Sequence, residues 1–380
     1  MGLLRGKFDI IIQNRQATYK FTLKRNITIL QGDSAVGKSF LITLINRYNT
    51  VKNSGISVYI KSSLGISADL GEMTYDIWKN RNIVKNRIYF IEETQDFIKE
   101  DEFAKFLAET GIYVVLITRD SIPSLPYSVC EIYSIKTSDG LHTFEPLYKF
   151  NGDLKRPDVI VTEDSKSGND FFANTLDIKC LGAGGNGNIY NIFKNEDLNN
   201  SDVLVIADGA AFGAHITKFN ELSESYRLQF YLPESFEWLI LNSGVFKVND
   251  LHGKLYRTYD YVEASDCFSW ENYYVELLTN ITKDKHYAYD KSNLADYYKY
   301  KTVAANILCN SSLNKMLFNN LDLIKSSDVV DEFLEGFNSD NKVRNDVLKS
   351  FRVVNYEPVS KLNLNIDLYL SDSAKPDLNK

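Results

Sequence analysis

The chain has 380 residues, a net charge of −7, 44% hydrophobic and 13% aromatic content, and four cysteines. That balance offers no broad basic footprint for nucleic acid, and the length suits two or three globular domains with sizeable cores. Cys130, Cys180, Cys267 and Cys309 form no CxxC pair, which argues against a zinc site or a disulfide framework. No stretch approaches the length of a membrane span, and the N-terminus lacks a signal-peptide pattern. A cytoplasmic protein with no membrane partner is expected.

In chain order, KFDIIIQN (7–14) and ATYKFTLK (17–24) read as a strand hairpin, and NITIL (26–30) as a third strand. Then comes Gly32-Asp33-Ser34-Ala35-Val36-Gly37-Lys38-Ser39, a full match to G-x-x-x-x-G-K-[ST]. An amphipathic run, SFLITLINRY, follows. The residue types suit phosphate. Glycines let successive N–H groups turn toward the oxygens, and the helix N-terminus adds its positive dipole end. Lys38 can reach the β- and γ-phosphates, and Ser39 can bind Mg²⁺.

NRIYFIEETQDF (86–97) is a buried-strand run that ends on Glu92 and Glu93. Glu92 is placed to hold Mg²⁺ through water, and Glu93 to polarise the attacking water. This resembles a Walker B element, with Glu92 where Asp is commoner. After a helical stretch, IYVVLITRD is a further buried strand ending on Thr118 and Arg119. P-loop ATPases often carry a γ-phosphate sensor there, so Thr118 is the first candidate and Arg119 the second. Strand, P-loop, helix, acidic strand, helix and strand describe a parallel α/β sheet with its ligands at the strand ends. The N-terminal hairpin resembles the antiparallel lobe of ATP-binding-cassette ATPases, although their LSGGQ signature is absent from the sequence.

A polar segment with glycine and proline, YKFNGDLKRPD (148–158), reads as a boundary. Four β-α units then follow within 158–242, as one doubly wound domain. Glu163 ends the first strand, Asp208 ends the third, and Glu234 lies just past the fourth, with Asp170 in the first helix. Strand carboxyl ends converge on one sheet edge, and such oxygens suit Mg²⁺ or Mn²⁺. The turn GAGGNG (182–187) lacks dinucleotide spacing; a tight turn with close backbone approach competes with phosphate contact. His215 lies in the helix after Asp208, where a packed or helix-surface role competes with that of a ligand or base; His142, His252 and His286 show no partner pattern.

Residues 157–245 resemble a Toprim domain. Glu163 stands at that family's first acidic position, Asp208 at the first Asp of its Asp-x-Asp, and Ala210 at the second. The resemblance also implies a catalytic lysine downstream, for which Lys291 is the candidate. An ATPase followed by Toprim resembles, in architecture, the overcoming-lysogenisation-defect nucleases of phage defence, whose cassette signature and long helical insert are not evident here. The expected fold is α/β: a P-loop NTPase sheet over 1–150, a Toprim-like doubly wound parallel sheet over 155–263, and a helical region over 264–325. A polar extension fills 326–380, its last ten residues without structure. The helical region interleaves Lys283, Lys285, Lys291 and Lys299 with Tyr287, Tyr289, Tyr297 and Tyr298, as either a packing unit or a strand-binding groove.

The resemblance implies an enzyme that binds and hydrolyses ATP with Mg²⁺ and so controls a metal-dependent nuclease. Its partners would be DNA or RNA and a second copy of the chain or a partner protein. An ATPase switch with an inactive, purely binding Toprim-like half is the alternative, and a P-loop kinase or phosphotransferase is the third reading.

Overall fold

The computed structural model describes residues 4–32, 37–61, 64–68, 71–82, 86–148, 155–176, 178–246, 248–308, 354–355 and 363–366. The candidates Asp33, Ser34, Ala35 and Val36 and the last ten residues lie outside them. The architecture is α/β with two sheets and C-terminal helices. It divides into two units, one comprising Met1–Tyr148 with Tyr259–Ser269, the other Lys149–Thr258 with Trp270–Lys380.

The first unit is built on a nine-stranded sheet among the described residues. Strands β1 (Phe8–Gln13) and β2 (Thr18–Leu23) form an antiparallel hairpin. The Asn14 side chain closes it by accepting from the N–H groups of Gln16 and Ala17, both at 2.9 Å, as Asx turns do. Both strands place buried residues at every second position, the pattern of a sheet with one face on a core.

Strand β3 (Ile27–Leu30) is buried throughout and leads to helix α1 (Lys38–Thr50). Leu41, Ile42, Leu44 and Ile45 give that helix a buried face. Next come β4 (Ser57–Ile60), β5 (Gly65–Ala68), α2 (Tyr75–Asn82) and β6 (Arg87–Glu92). After them lie α3 (Asp101–Thr110) and β7 (Tyr113–Ile117). Strands β3, β7, β6 and β5 pair in parallel, in that spatial order. β7 is buried at all five positions, as expected for a parallel strand covered on both faces.

The remaining hairpin, β8 (Ile132–Ser138) and β9 (Leu141–Pro146), turns at Asp139 (φ 48°) and Gly140 (φ 79°), the two positive-φ residues of a type I′ turn. Its strands join the parallel half to the antiparallel half, giving the order β4-β1-β2-β9-β8-β3-β7-β6-β5. Residues 259–269 complete the unit from far along the chain. The Glu263 carboxylate accepts from the Asn26 N–H at 2.6 Å, and the Arg5 guanidinium donates to the Tyr261 carbonyl at 3.1 Å and pairs with Asp266. The boundary expected at residue 263 thus falls inside a segment that packs with the first unit.

The second unit contains β10 (Val159–Thr162), α4 (Ser167–Thr175), β11 (Lys179–Gly182), α5 (Asn186–Asn195), β12 (Asp202–Ile206), α6 (Ile216–Leu222) and β13 (Arg227–Tyr231). Helices α7 (Phe236–Asn242), α8 (Leu251–Tyr256), α9 (Trp270–Thr282) and α10 (Lys301–Ile307) follow. Strands β14 (Val354–Asn355) and β15 (Asn363–Ile366) close the sheet, whose order is β11-β10-β12-β13-β15-β14. All its pairings are parallel except β14 with β15. Part of the expected polar extension is therefore strand.

All seven residues of α7 are buried, and it packs with α8 and α9 in a core containing Trp238, Leu241, Tyr274 and Leu278. Tyr289, Tyr297 and Tyr298 belong to that core too, so these three rings are packing groups and not the surface of a groove. Among the described residues no helix is long and apolar enough to cross a membrane.

Candidate functional site

Each unit carries one candidate site. In the first, Gly37, Lys38, Ser39, Glu92, Glu93 and Arg119 line a cleft of about 500 Å³ together with Phe40, Thr94 and Ile117. Small-molecule sites span roughly 300–1,000 Å³. The neighbouring positions of β3, β7 and β6 explain the convergence: residues distant in sequence leave adjacent strands at the same edge.

Gly37 caps α1 at φ 98°, a conformation that glycine adopts at little cost because it has no Cβ. The Lys38 ammonium donates to the Gly32 carbonyl. Ser39 is exposed in the cleft. Glu92 is half-buried; burial raises its pKa, and the charge of Glu93 raises it further. Glu93 accepts from the Arg119 N–H at 2.8 Å and faces its guanidinium at 3.4 Å. Ser39 and Glu92 are hard-oxygen donors of the kind that hold Mg²⁺.

Thr118 is not among the lining residues. It is buried, and its hydroxyl donates to the Asp120 carbonyl at 3.0 Å and accepts from the Asp120 N–H at 3.1 Å. Arg119, the second candidate for the sensor position, does line the cleft.

In the second unit, Glu163, Asp208, Glu237, Glu271 and Lys291 line one pocket, with Asp164, Phe172 and Phe236 among its walls. The strand order explains the meeting of the first two. The first strand of this sheet, β10, lies between the second, β11, and the third, β12. The chain leaves β10 toward one side and β12 toward the other, which opens a crevice at their carboxyl ends. Glu163 and Asp208 sit at those two ends.

The Asp208 N–H donates to Glu163 Oε2 at 2.7 Å. Burial raises the pKa of both acids, and the charge of Glu163 raises Asp208 further. Glu237 is buried and holds both carboxylate oxygens in hydrogen bonds, from the Tyr289 hydroxyl at 2.5 Å and the Ser235 hydroxyl at 2.9 Å. Burial still raises its pKa. The Lys291 ammonium donates to Glu271. Burial lowers the pKa of Lys291, but that hydrogen bond and the surrounding carboxylates raise it on balance.

The pocket thus brings together Glu163, Asp208 and Lys291 of the expected set. Glu234 is absent from its lining; it is buried, with its backbone carbonyl accepting from Ala210 at 3.3 Å. Asp170 and Ala210 are absent from the lining as well. Asp164, just before α4, accepts from the N–H groups of Gly168 and Asn169 in its first turn at 2.9 and 2.7 Å.

Three lining acids escaped the sequence reading: Asp164, Glu237 and Glu271. Glu237 had a signal: a lone acid in the apolar run FEWLILN is a buried charge that needs donors. Glu271 looks like an ordinary first-turn acid of an amphipathic helix, and nothing local marks it. The glycine turn is explained by close approach. A Cβ on Gly182 would meet the Ser165 Cα at 2.9 Å, and the Gly185 N–H donates to the Glu163 carbonyl at 2.7 Å.

Among the described residues no three His, Cys, Asp or Glu side chains are grouped to hold a metal. In the second-unit pocket Lys291 already supplies a cation among the acids. That donor set does not fit a two-metal centre. Comparison with family models, with curated proteins and with solved structures finds no match to this chain.

Proposed function

We propose that this chain binds and hydrolyses ATP in the first-unit cleft and thereby controls the acidic pocket of the second unit. The observation that carries the ATPase reading is the meeting of Gly37, Lys38 and Ser39 with Glu92 and Glu93 in one cleft. Mg²⁺ held by Ser39 and Glu92 would offset the charge of the β- and γ-phosphates. Lys38 would exchange its contact with the Gly32 carbonyl for a phosphate oxygen. Glu93 would orient the attacking water, with Arg119 beside it holding the carboxylate in place.

Two readings of the second unit follow. The first is a Toprim-like nuclease acting on DNA or RNA, in the manner of phage-defence nucleases. It draws support from Glu163 and Asp208 at the crevice between β10 and β12. The second is a pocket that binds without cutting. Lys291 among the acids favours it, as does alanine at position 210. The deciding experiment is incubation with plasmid, single-stranded DNA and transfer RNA, with Mg²⁺ or Mn²⁺, with and without ATP. Cleavage that vanishes in Asp208→Ala while ATP hydrolysis continues supports the nuclease. ATP hydrolysis with no cleavage under any condition supports the switch. A wild-type chain that neither binds nor hydrolyses nucleotide ends both readings.

A further inference from the structure

The Gly37 carbonyl oxygen accepts two hydrogen bonds. One comes from the Leu41 N–H at 3.0 Å and opens α1. The other comes from the Tyr19 hydroxyl at 2.8 Å, 18 residues upstream on β2. Tyr19 is fully buried, and burial lifts its phenol to about 12, so at neutral pH it remains a donor.

A second ring holds it in place. Tyr19 and His142 are register partners on β2 and β9. Their rings stack with centroids 4.4 Å apart and planes 11° from parallel. His142 Nδ1 lies 2.8 Å from the Thr137 hydroxyl. A Cβ on Gly37 would come within 2.9 Å of the Tyr19 hydroxyl and 3.4 Å of His142 Nδ1, so the pair presses directly on the glycine.

A buried phenol needs an acceptor somewhere. The choice of acceptor is what matters here. A trans peptide is planar, and its carbonyl and the following N–H point in opposite directions. A carbonyl held by Leu41 and Tyr19 together fixes the Gly37–Lys38 peptide plane and therefore the direction of the Lys38 N–H. In an anion site at a helix N-terminus those N–H directions are the binding element. We propose that Tyr19 is a positioning residue for nucleotide phosphate, aiming the Lys38 N–H through the Gly37 carbonyl, and that His142 fixes Tyr19 by stacking. This inference rests on the nucleotide-binding reading of the cleft.

The test uses the full chain and two probes, Mg-ATP and Mg-triphosphate, the second lacking base and sugar. Tyr19→Phe removes the hydroxyl and keeps the ring. Its expected effect is a loss of affinity of about 5-fold, equivalent to about 1 kcal/mol. Both probes should weaken by the same factor, because the base plays no part. KM for ATP should rise with kcat little changed. His142→Ala should weaken binding in the same direction, and His142→Phe, which keeps a stacking ring, should recover it. A purely structural role would lower the unfolding temperature of Tyr19→Phe and leave both affinities alone, and that result overturns the inference. Wild-type affinity in Tyr19→Phe, alongside lost binding in Lys38→Ala, removes the positioning role and spares the cleft. Undiminished binding in Lys38→Ala removes the nucleotide reading itself, and the positioning role with it.

Discussion

Lys38 and Glu93 meet in one cleft but would do different work, and two substitutions separate them. Lys38→Ala removes charge-assisted bonds to phosphate, each worth about 1.5–3 kcal/mol, so ATP affinity should fall by at least tenfold in a binding titration. Glu93→Gln keeps the shape and the Arg119 N–H contact and removes the charge, so binding should persist while turnover stops. Normal hydrolysis by Glu93→Gln would show that the base lies elsewhere. In the other unit, Glu163 offers a test by pH. Burial raises its pKa from 4.5 to about 7. An acid whose folded pKa is raised binds more protons folded than unfolded, so its contribution to stability falls as pH rises through that window. The second unit should lose stability between pH 4.5 and 7, and Glu163→Gln should flatten the loss. Thermal unfolding across that range measures both slopes, and equal slopes would contradict the assignment.

At the scale of elements, the strands were legible where burial is complete. Ile27–Leu30, Tyr113–Ile117 and Val159–Thr162 read as apolar runs because parallel strands bury both faces. The β8–β9 hairpin carried a readable cue, Asp139-Gly140 between alternating residues. Its strands are only partly buried, so hydrophobicity did not announce them. The exchange of Glu234 for Glu237 has a different cause. Both acids follow β13 within a few residues, and the start of α7 decides which one faces the pocket. Ser235 sets that start by accepting from the Trp238 N–H at 3.1 Å and donating to Glu237.

Donors for the Glu237 carboxylate therefore come from two separate elements, and removing either should be felt. Tyr289→Phe and Ser235→Ala each strip one hydrogen bond from a buried acid, at a cost of about 1–3 kcal/mol. Because both act on one carboxylate, their costs should not add. Chemical denaturation of the two single variants and the double variant provides the measurement. Additive costs, or a neutral Tyr289→Phe, would remove Glu237 from the role of a held acid.

On the scale of the whole molecule, the chain passes between the two units three times: after Tyr148, after Thr258 and after Ser269. The segment 259–269 then belongs to the first unit's structure although the second unit's chain precedes and follows it. Its hold is specific. Glu263 is buried, adopts φ 62° and accepts from the Asn26 N–H immediately before β3. Without that carboxylate the Asn26 N–H would be left buried and unsatisfied, at a cost of about 1–3 kcal/mol. A fragment ending at residue 148 lacks the segment altogether and should be less stable than the same unit in the full chain. Glu263→Ala in the full chain should lower the first unit's unfolding transition, and Glu263→Gln, which keeps an oxygen acceptor, should recover part of it. Because β3 leads directly to Gly32 and the cleft, the Glu263→Ala variant should also bind ATP more weakly. Scanning calorimetry of the fragment and the two variants decides the matter. A fragment 1–148 that unfolds at the temperature of the intact first unit would show that the segment rests on the unit without supporting it.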